Sequence, residues 1–425
     1  MKKTIKLAVV AALALGTTSA FATNGDNMIG FGAESRALGG TGIANFMGSG
    51  NALTNPALLA KTKSDNEFAF AGTIFKADVK ASTTDGSVAS GGTAGYSATS
   101  DEGMSMIPAI SLSHRINDKL VFGLGMYGTA GMGTDWRHTD ASTITATNVD
   151  LYNMRSSLML MQFAPSLAYG TDTFGIGLTG IMQYGALSID YDNAGGHIGN
   201  GMSNDFGYGF VLGGYFNPME SLTIGGVYKS AIDMEYKGQI SAAAAAFGYG
   251  GSSTALAAKS DHLEQPAEYG IGVAFDMGSM TYTTDIKEIR WGDAKGYKDF
   301  NWENQTVYAL GVKHTSDSYW LGAGFNYGKN PVKNNTNTAS VNGLGTGNTD
   351  GDTINMFNYV MFPATTETTY TIGGGYSITK GMALDLAYTY APEVSDTVSV
   401  TTVSAGDLTT KHSQQALTIA LKFNY

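Results

Sequence analysis

The polar residues of this chain are widely spread, and none of their groupings predicts a catalytic or metal centre. Gly39-Gly40-Thr41-Gly42 has the glycines of a phosphate-binding loop, but it follows no strand pattern and lacks the Lys-Ser/Thr ending. Asn348-Thr349-Asp350-Gly351-Asp352 carries carboxylates that could hold calcium loosely, although a solvated turn is the better interpretation. Six histidines have no metal-ligand spacing: His114, His138, His197, His262, His314 and His412.

Composition restricts nucleophilic and thiolate chemistry further. The chain has no cysteine, which excludes disulfides and thiolate metal sites. A Ser/His/Asp triad is compatible with the residues present, but no nucleophile elbow occurs. We therefore predict no cofactor and no metal ion.

Apolar chemistry is the stronger signal. In the segment Ser157–Tyr169, Leu158 and Leu160 put apolar groups on the face that other segments keep polar or small. Ile107 and Ile181 do the same in their own segments. If these side chains face an interior, they either pack against another part of the chain or bind a hydrophobic ligand.

The elements that carry these residues read as β-strands. Fourteen segments with a period of two lie between Glu67 and Tyr425, and the breaks between them are alternately long and short. Gly278–Ser279 is one of the short breaks. Asn330–Thr366 and, near the end of the chain, Ala391–Ser413 are two of the long ones. This layout is typical of outer-membrane barrels. We predict an all-β fold, a 14-stranded antiparallel transmembrane β-barrel.

One face of each predicted strand is apolar and aromatic, as contact with lipid requires. In the last segment these residues are Leu417, Ile419, Leu421, Phe423 and Tyr425. A soluble β-sandwich or solenoid would also need apolar faces. It would not require the alternation of long and short breaks, so we consider it the weaker alternative.

The start of the chain predicts export. Met1 to Ala22 has three lysines, an apolar run and Ala20-Phe21-Ala22, which together read as a cleaved signal peptide, residues 1–22. Residues 23–62, rich in Gly, Ala and Asn, are predicted to form a plug or hatch inside a barrel made by residues 63–425. The formal charge of −11 argues against nucleic acid as a partner.

The predicted lumen face leaves room for such a plug. Its residues are mostly small, as in Gly207, Gly209 and Gly213. Charged residues on this face are sparse and are expected to hydrogen-bond the plug or to line a small polar path. They are Arg115, Lys229, Glu268, Asp276, Asp285, Lys287, Lys313, Asp385 and Lys422.

The outer break Glu235–Pro266 is unusually apolar for an exposed loop. We predict either short helices that cover the barrel mouth or a surface that captures apolar solutes. The candidate capture residues are Ala244, Phe247, Tyr249 and Leu256.

Several short motifs together resemble the FadL/TodX family of outer-membrane channels for long-chain fatty acids and other hydrophobic compounds. The plug carries Gly39-Gly40-Thr41-Gly42-Ile43-Ala44 and then Asn55-Pro56-Ala57. Further along the chain follow Ile107-Pro108-Ala109-Ile110-Ser111, Gln265-Pro266-Ala267-Glu268-Tyr269-Gly270 and Gly324-Phe325-Asn326-Tyr327-Gly328. Each motif is weak by itself, but their shared order along nearly the whole mature chain is specific.

The resemblance implies a monomeric barrel in the outer membrane of a Gram-negative bacterium. It implies a hatch, with Asn55, Pro56, Ala57, Gly39, Gly40 and Gly42 as hatch or gate residues. It also implies a lateral opening at a kink in the third strand, which we place at Gly123–Gly125 with Asn55-Pro56-Ala57 nearby. For the lumen pocket beside the N-terminus we name Met28, Ile29, Phe31, Ile107, Leu158, Leu160, Gln162 and Ile181.

Three functions remain open at this point. The first is passive uptake of hydrophobic small molecules, namely fatty acids or related hydrocarbons, with detergent or lipid as further ligands. The second is a general porin for polar solutes, and the third is an outer-membrane enzyme of the lipase type. The third outer loop, Asp192–Asn204, is short and polar here, unlike the loop that helps to capture solutes in fatty-acid members of the family.

Overall fold

The structure is a computed structural model that describes residues 23–83, 97–137, 153–193, 196–244, 261–335, 348–399 and 407–425. The predicted signal peptide lies outside the described residues, as do Phe247, Tyr249 and Leu256 of the predicted capture loop. No helix among the described residues is long and apolar enough to cross a membrane.

Fourteen strands form the wall, as predicted. They are β1 Asn66–Thr83, β2 Met104–Arg115, β3 Leu120–Asp135, β4 Arg155–Gly170, β5 Phe174–Asn193, β6 Ser203–Met219, β7 Leu222–Lys229, β8 Glu268–Met277, β9 Met280–Ile289, β10 Gln305–Thr315, β11 Tyr319–Gly328, β12 Thr368–Thr379, β13 Met382–Ser399 and β14 Asp407–Asn424. Two short strands, Ser97–Thr99 and Gly196–Ile198, pair with β1 and β5 outside this set.

The wall is a closed antiparallel barrel. Successive strands pair in sequence order, and β14 pairs with β1 from Leu408↔Thr83 to Asn424↔Glu67. Because the sheet closes, every wall strand has a neighbour on both sides, which is the condition for strands to cross a lipid bilayer. The predicted fold class is confirmed.

Burial follows the predicted alternation of faces. In β14, Leu417 and Ile419 are exposed, whereas Thr418 and Ala420 are buried. The same apolar outer face recurs on other strands, with Phe206, Tyr208 and Phe210 on β6 as an example. The exposed side chains therefore form an apolar outer band, and the small residues between them face the lumen.

The leading segment, residues 23–61, is folded in short pieces. It begins with the two-residue strands Thr23–Asn24 and Asn27–Met28, which pair as a hairpin. Helix α1, Gly32–Ala37, helix α2, Asn51–Thr54, and the 3₁₀ helix Pro56–Lys61 follow. Nearly all of these residues are buried against lumen-facing residues of the wall.

The outer connections are more structured than the sequence predicted. Helix α3, Ile240–Ala244, lies in the apolar loop, and a 3₁₀ helix spans Tyr297–Phe300. Asn348–Asp352, predicted as a solvated turn, instead opens helix α4, Asn348–Met361. The buried side chains of Ile354, Phe357 and Val360 give this helix an apolar face at the barrel mouth. The predicted loop Ala391–Ser413 is largely strand, because β13 continues to Ser399 and β14 begins at Asp407.

Candidate functional site

Wall glycines form the sockets that receive the leading segment. A Cβ at Gly324 would overlap the backbone nitrogen of Gly39, and one at Gly177 would overlap that of Ala57. At Gly213 a Cβ would overlap the side chain of Asn55. The small inward residues noted in the sequence therefore admit the backbone of the leading segment at close range.

Two of the predicted gate glycines have backbone angles that favour glycine. Gly39 has φ +72° and Gly40 has φ +82°. A Cβ at Gly40 would also overlap the carbonyl oxygen of Ile29. Since side chains disfavour both the angle and the contact, this turn requires glycine for its fold.

Asn55-Pro56-Ala57 caps the 3₁₀ helix and fastens it to the wall. The Asn55 side chain donates to the carbonyls of Ile43 at 2.7 Å and Gly214 at 2.9 Å, and accepts from the Ala57 amide at 3.1 Å. The socket glycines place the motif against β5 and β6. The structure therefore does not bring it to the third strand as expected; Leu59 makes that contact instead, against Gly123.

Buried charges hold the body of the leading segment. Asp285 of β9 accepts from the amides of Gly42 at 2.7 Å and Ile43 at 3.0 Å. Glu34 of α1 pairs with Lys313 at 2.7 Å and Lys422 at 3.0 Å. The inward charges Asp285, Lys313 and Lys422 thus bond the leading segment, one of the two roles that the sequence left open for them.

A cavity lies between the leading segment and the wall. Of the predicted pocket residues, Met28, Ile29 and Phe31 line it, together with the glycines Gly40 and Gly42. Sequence reasoning missed the contributions of Ile43, Leu53, Thr129 and Val227. Val227 lies two positions before Lys229, which was predicted to face inward, so the period of two was a signal for it. The residues of the leading segment follow no period from which their direction could be read.

The other predicted pocket residues are buried nearby without lining this cavity. Ile107, Leu158, Leu160 and Ile181 belong to one apolar cluster that also contains Met28. Gln162 donates to Gln183 at 2.7 Å on the neighbouring strand. These side chains extend the apolar interior around the cavity.

The third strand leaves its neighbour at a defined place. Pairing of β2 with β3 runs from Arg115↔Val121 to Ala109↔Tyr127 and stops there. On the other side, the register with β4 shifts between Gly128 and Ala130. Beyond that point, Met104–Pro108 of β2 and Gly128–Thr134 of β3 are not paired with each other. We call this unpaired stretch the lateral interval.

The break therefore does not lie at Gly123–Gly125, where both neighbouring strands pair in regular register. Those glycines serve packing instead, because a Cβ at Gly125 would overlap the Tyr127 ring. Pro108, which has no N–H to donate, immediately precedes Ala109, the last position of β2 that pairs with β3. At the far end, the Asp101 amide donates to the Asp135 carbonyl at 2.7 Å and closes the interval.

The leading hairpin occupies the lateral interval from inside. Asn27 pairs with Ala130 of β3, and the Gly131 amide donates to the Asp26 carbonyl at 3.1 Å. Phe31 packs on Tyr127 with 5.5 Å between ring centres. Residues of the leading segment thus form backbone hydrogen bonds with β3 in the stretch where β2 does not.

Aromatic residues of the outer connections cover the mouth. The Tyr297 ring is tilted against Trp291 and Trp302, with ring centres 4.6 and 4.8 Å apart. Phe300 stacks on Phe357 of α4 with ring centres 4.7 Å apart. The Tyr297 hydroxyl donates to the Asp26 carboxylate, which also accepts from Gln265 at 3.0 Å. Sequence analysis missed this group, although four large aromatics between positions 291 and 302 were a visible signal.

The predicted capture loop is described only in part. Ala244 ends α3 and is buried, which removes it from the exposed surface. Within the described ranges, no three His, Asp or Glu side chains are grouped closely enough to hold a metal ion.

Residues 7–343 match the model of the family described as outer membrane protein transport protein (OMPP1/FadL/TodX). The chain belongs to this family. The resemblance read from the motifs is confirmed, and with it the location in the Gram-negative outer membrane. Members of the OMPP1/FadL/TodX family are transport proteins.

Solved structures share the fold at low sequence identity. The Pseudomonas putida toluene transporter TodX is 16% identical with a TM-score of 0.65, over 93% of this chain and 99% of that chain. A FadL homologue from Pseudomonas aeruginosa is 15% identical with a TM-score of 0.65, over 94% and 99%. The Ralstonia pickettii toluene transporter TbuX is 16% identical with a TM-score of 0.63, over 93% and 98%.

One curated relative matches a short stretch only. An uncharacterized protein of Chlorobium limicola is 46% identical over 63 residues, which is 15% of this chain and 31% of that protein.

Proposed function

We propose that this protein takes up hydrophobic compounds passively across the outer membrane, with the leading segment as a hatch and the lateral interval as the exit. The pairing of Asn27 with Ala130 carries the proposal. It puts the leading hairpin at the position where the wall has no strand-to-strand bonds. Withdrawal of that hairpin would connect the lumen sideways with the bilayer.

The size of the cavity agrees with a closed hatch. Its volume of about 60 Å³ suits a few water molecules rather than a long apolar chain. A solute would have to displace part of the hairpin to bind, and this couples binding to opening. Met28, which lines the cavity, lies next to Asn27 in the same short strand.

Burial of apolar surface is a sufficient driving force for this route. Each Å² of apolar surface removed from water contributes about 25 cal/mol. Successive weak sites let a solute enter and leave without an energy source. Fatty acids and related hydrocarbons are the solutes that we assign, with transport rather than ester hydrolysis as the activity. The unit is a monomer whose apolar outer band contacts lipid.

A reversible cross-link tests the hatch directly. The chain has no cysteine, so the double variant Asn27→Cys/Ala130→Cys would carry one thiol pair, on residues that are partners across a strand ladder. We expect the oxidised variant to lose uptake of a hydrophobic probe into cells, and a reductant to restore it.

A matched control places the cross-link between two strands of the wall. Thr73 and Thr418 are also ladder partners, with hydroxyls 2.8 Å apart, but they join β1 to β14. The oxidised double variant Thr73→Cys/Thr418→Cys should take up the probe normally. Undiminished uptake by the fully oxidised Asn27/Ala130 variant would rule out movement of the hairpin as the gate.

A further inference from the structure

The wall is taller on one side than on the other. Strands β1, β13 and β14 have 18 residues each, whereas β8, β9 and β11 have 10 each. A strand advances by about 3.3 Å per residue, and the short turns of such barrels lie at the periplasmic end. The additional residues of β1, β13 and β14 therefore extend the wall beyond the membrane on its outer side.

The lipid-facing surface of this tall side changes from apolar to polar along the strands. Ile74 of β1 and Leu417 of β14 are ladder partners and belong to the apolar outer band. One row farther out, Lys76 pairs with Gln415, which pairs in turn with Tyr390 of β13. Tyrosines are typical of the boundary between the bilayer core and the headgroups. The rows beyond Lys76 therefore lie at the level of the headgroups of the outer leaflet.

Two lysines face each other in these outer rows. Lys80 of β1 and Lys411 of β14 are direct ladder partners, and their side chains are 43% and 48% exposed. Like charges directly opposite each other on a sheet are unfavourable. Lys80 lies 3.7 Å from Asp78 and Lys411 lies 3.8 Å from Glu393, but ion pairs that are this long and exposed contribute little. An anion between the two ammonium groups would relieve their repulsion.

Hydroxyl groups surround the lysine pair. In its own row, Ser395 of β13 is the partner of Lys411, and Thr99 of the short strand beside β1 is the partner of Lys80. The next row outward consists of four hydroxyl residues, Thr397, Thr409, Ser82 and Ser97. Ammonium groups form strong hydrogen bonds with phosphate oxygens, and hydroxyls can both donate to and accept from the hydroxyls of a sugar. These rows together have the chemistry that a phosphorylated sugar requires.

We propose that Lys76, Lys80 and Lys411, the lysine face, bind a phosphorylated glycolipid of the outer leaflet. Its phosphate lies between Lys80 and Lys411, its sugar lies on the hydroxyl rows, and its acyl chains follow the apolar outer band. A lipid is favoured over a free anion because the lysine face continues directly into that band, where acyl chains gain contact that a soluble anion cannot use. The proposal depends on the outer-membrane location and is independent of the uptake function.

Lipid binding by the full mature protein in detergent micelles, measured by native mass spectrometry, tests the proposal. The probes are lipid A with two phosphates, lipid A with one phosphate, and phosphatidylethanolamine, and we expect the affinity to fall in that order. Lys80→Gln/Lys411→Gln should weaken binding of the bisphosphorylated lipid by about tenfold to thirtyfold, because each lysine near an anionic headgroup contributes a factor of about five. Glu393→Gln should strengthen it by about twofold to fivefold, because a competing carboxylate is removed.

Lys295→Gln/Lys333→Gln is the matched control. These lysines of the outer connections are 49% and 58% exposed and each pairs with a carboxylate, so the variant loses the same charge elsewhere on the outer side. It should bind lipid A as the natural chain does. An equal loss in the control would show that only total charge matters and would overturn the proposal. Unchanged affinity in Lys80→Gln/Lys411→Gln would overturn it as well.

Two further outcomes decide the nature of the ligand. Binding of phosphatidylethanolamine as tight as that of bisphosphorylated lipid A would exclude a phosphate-sugar site. Displacement of the lipid by inorganic phosphate, but not by chloride at equal ionic strength, would indicate a site for the free anion and would overturn the assignment to a lipid. If Lys80→Gln/Lys411→Gln does not fold, Glu393→Gln decides alone, and an unchanged affinity in that variant contradicts the lysine face as the binding site.

Discussion

The two parts of the leading segment are attached to the wall by contacts of different strength. The body, residues 32–61, is held by buried ion pairs of Glu34, by two amide bonds to Asp285 and by close backbone contact with wall glycines. The hairpin, residues 23–28, pairs with β3 at a single position, Asn27↔Ala130. Its further ties include side-chain bonds of Asp26 to Tyr297 and Gln265.

This difference indicates which part can move. Opening free energies within one protein range from near zero to the global value, and the weakest regions have few buried contacts. The body would keep the lumen blocked while the hairpin leaves the lateral interval. The wide open pore of a general porin would require the whole segment to leave.

The largest expected effect comes from removing a socket of the body. Gly324→Val would place side-chain atoms on the backbone of Gly39, and such a clash in a packed interior costs about 3 kcal/mol. The body could not pack against the wall. We therefore expect the variant to conduct a steady ion current in planar bilayers, in which the natural chain conducts little current. Gly226→Val serves as the control, since nothing lies within 4 Å of the added Cβ. A closed Gly324→Val channel would show that the body is not held by its sockets.

Asp285→Ala should have the next largest effect. It removes the acceptor of the Gly42 and Ile43 amides, and an unsatisfied buried donor costs about 1–3 kcal/mol. Hydrogen exchange of these two amides should accelerate by about tenfold or more. Exchange of the Asn27 amide should change less, because the hairpin has its own contacts. An equal rise in both regions would mean that the segment opens as one unit.

Tyr297→Phe should have a smaller effect, confined to the hairpin. The change removes one hydrogen bond to Asp26 and keeps the ring contacts with Trp291 and Trp302. A hydrogen bond to a charged group contributes about 1.5–3 kcal/mol, and Gln265 remains to offset part of the loss. We expect faster exchange at Asn27 and unchanged exchange at Gly42.

Tyr191→Phe provides the comparison for that variant. The Tyr191 hydroxyl donates to the Ala243 carbonyl of helix α3 at 2.5 Å. Its loss should leave hairpin exchange unaltered. If both tyrosine variants accelerate exchange at Asn27, the mouth as a whole supports the hairpin rather than Tyr297 in particular.

Much of the wall could be read from the sequence because strand periodicity and turns are local properties. The apolar sides of β6 and β14, for example, follow from a period of two in residues that are close in the chain. Long loops were less readable. Helix α4 begins with Asn348-Thr349-Asp350, which resembles a turn by composition, and only its packing across the mouth makes the helix stable.

The sequence by itself determined the number of strands, their outward faces and the family, since each depends on residue types repeated along the chain. Tertiary structure alone decided where the wall is interrupted. Gly123 and Gly125 were compatible with a kink, but these positions stay paired. The pairing of β2 with β3 ends next to Pro108, and Asn27 of the leading hairpin pairs with β3 beyond that point. Asn27 and Ala130 are distant in sequence, and only the closed barrel brings them together.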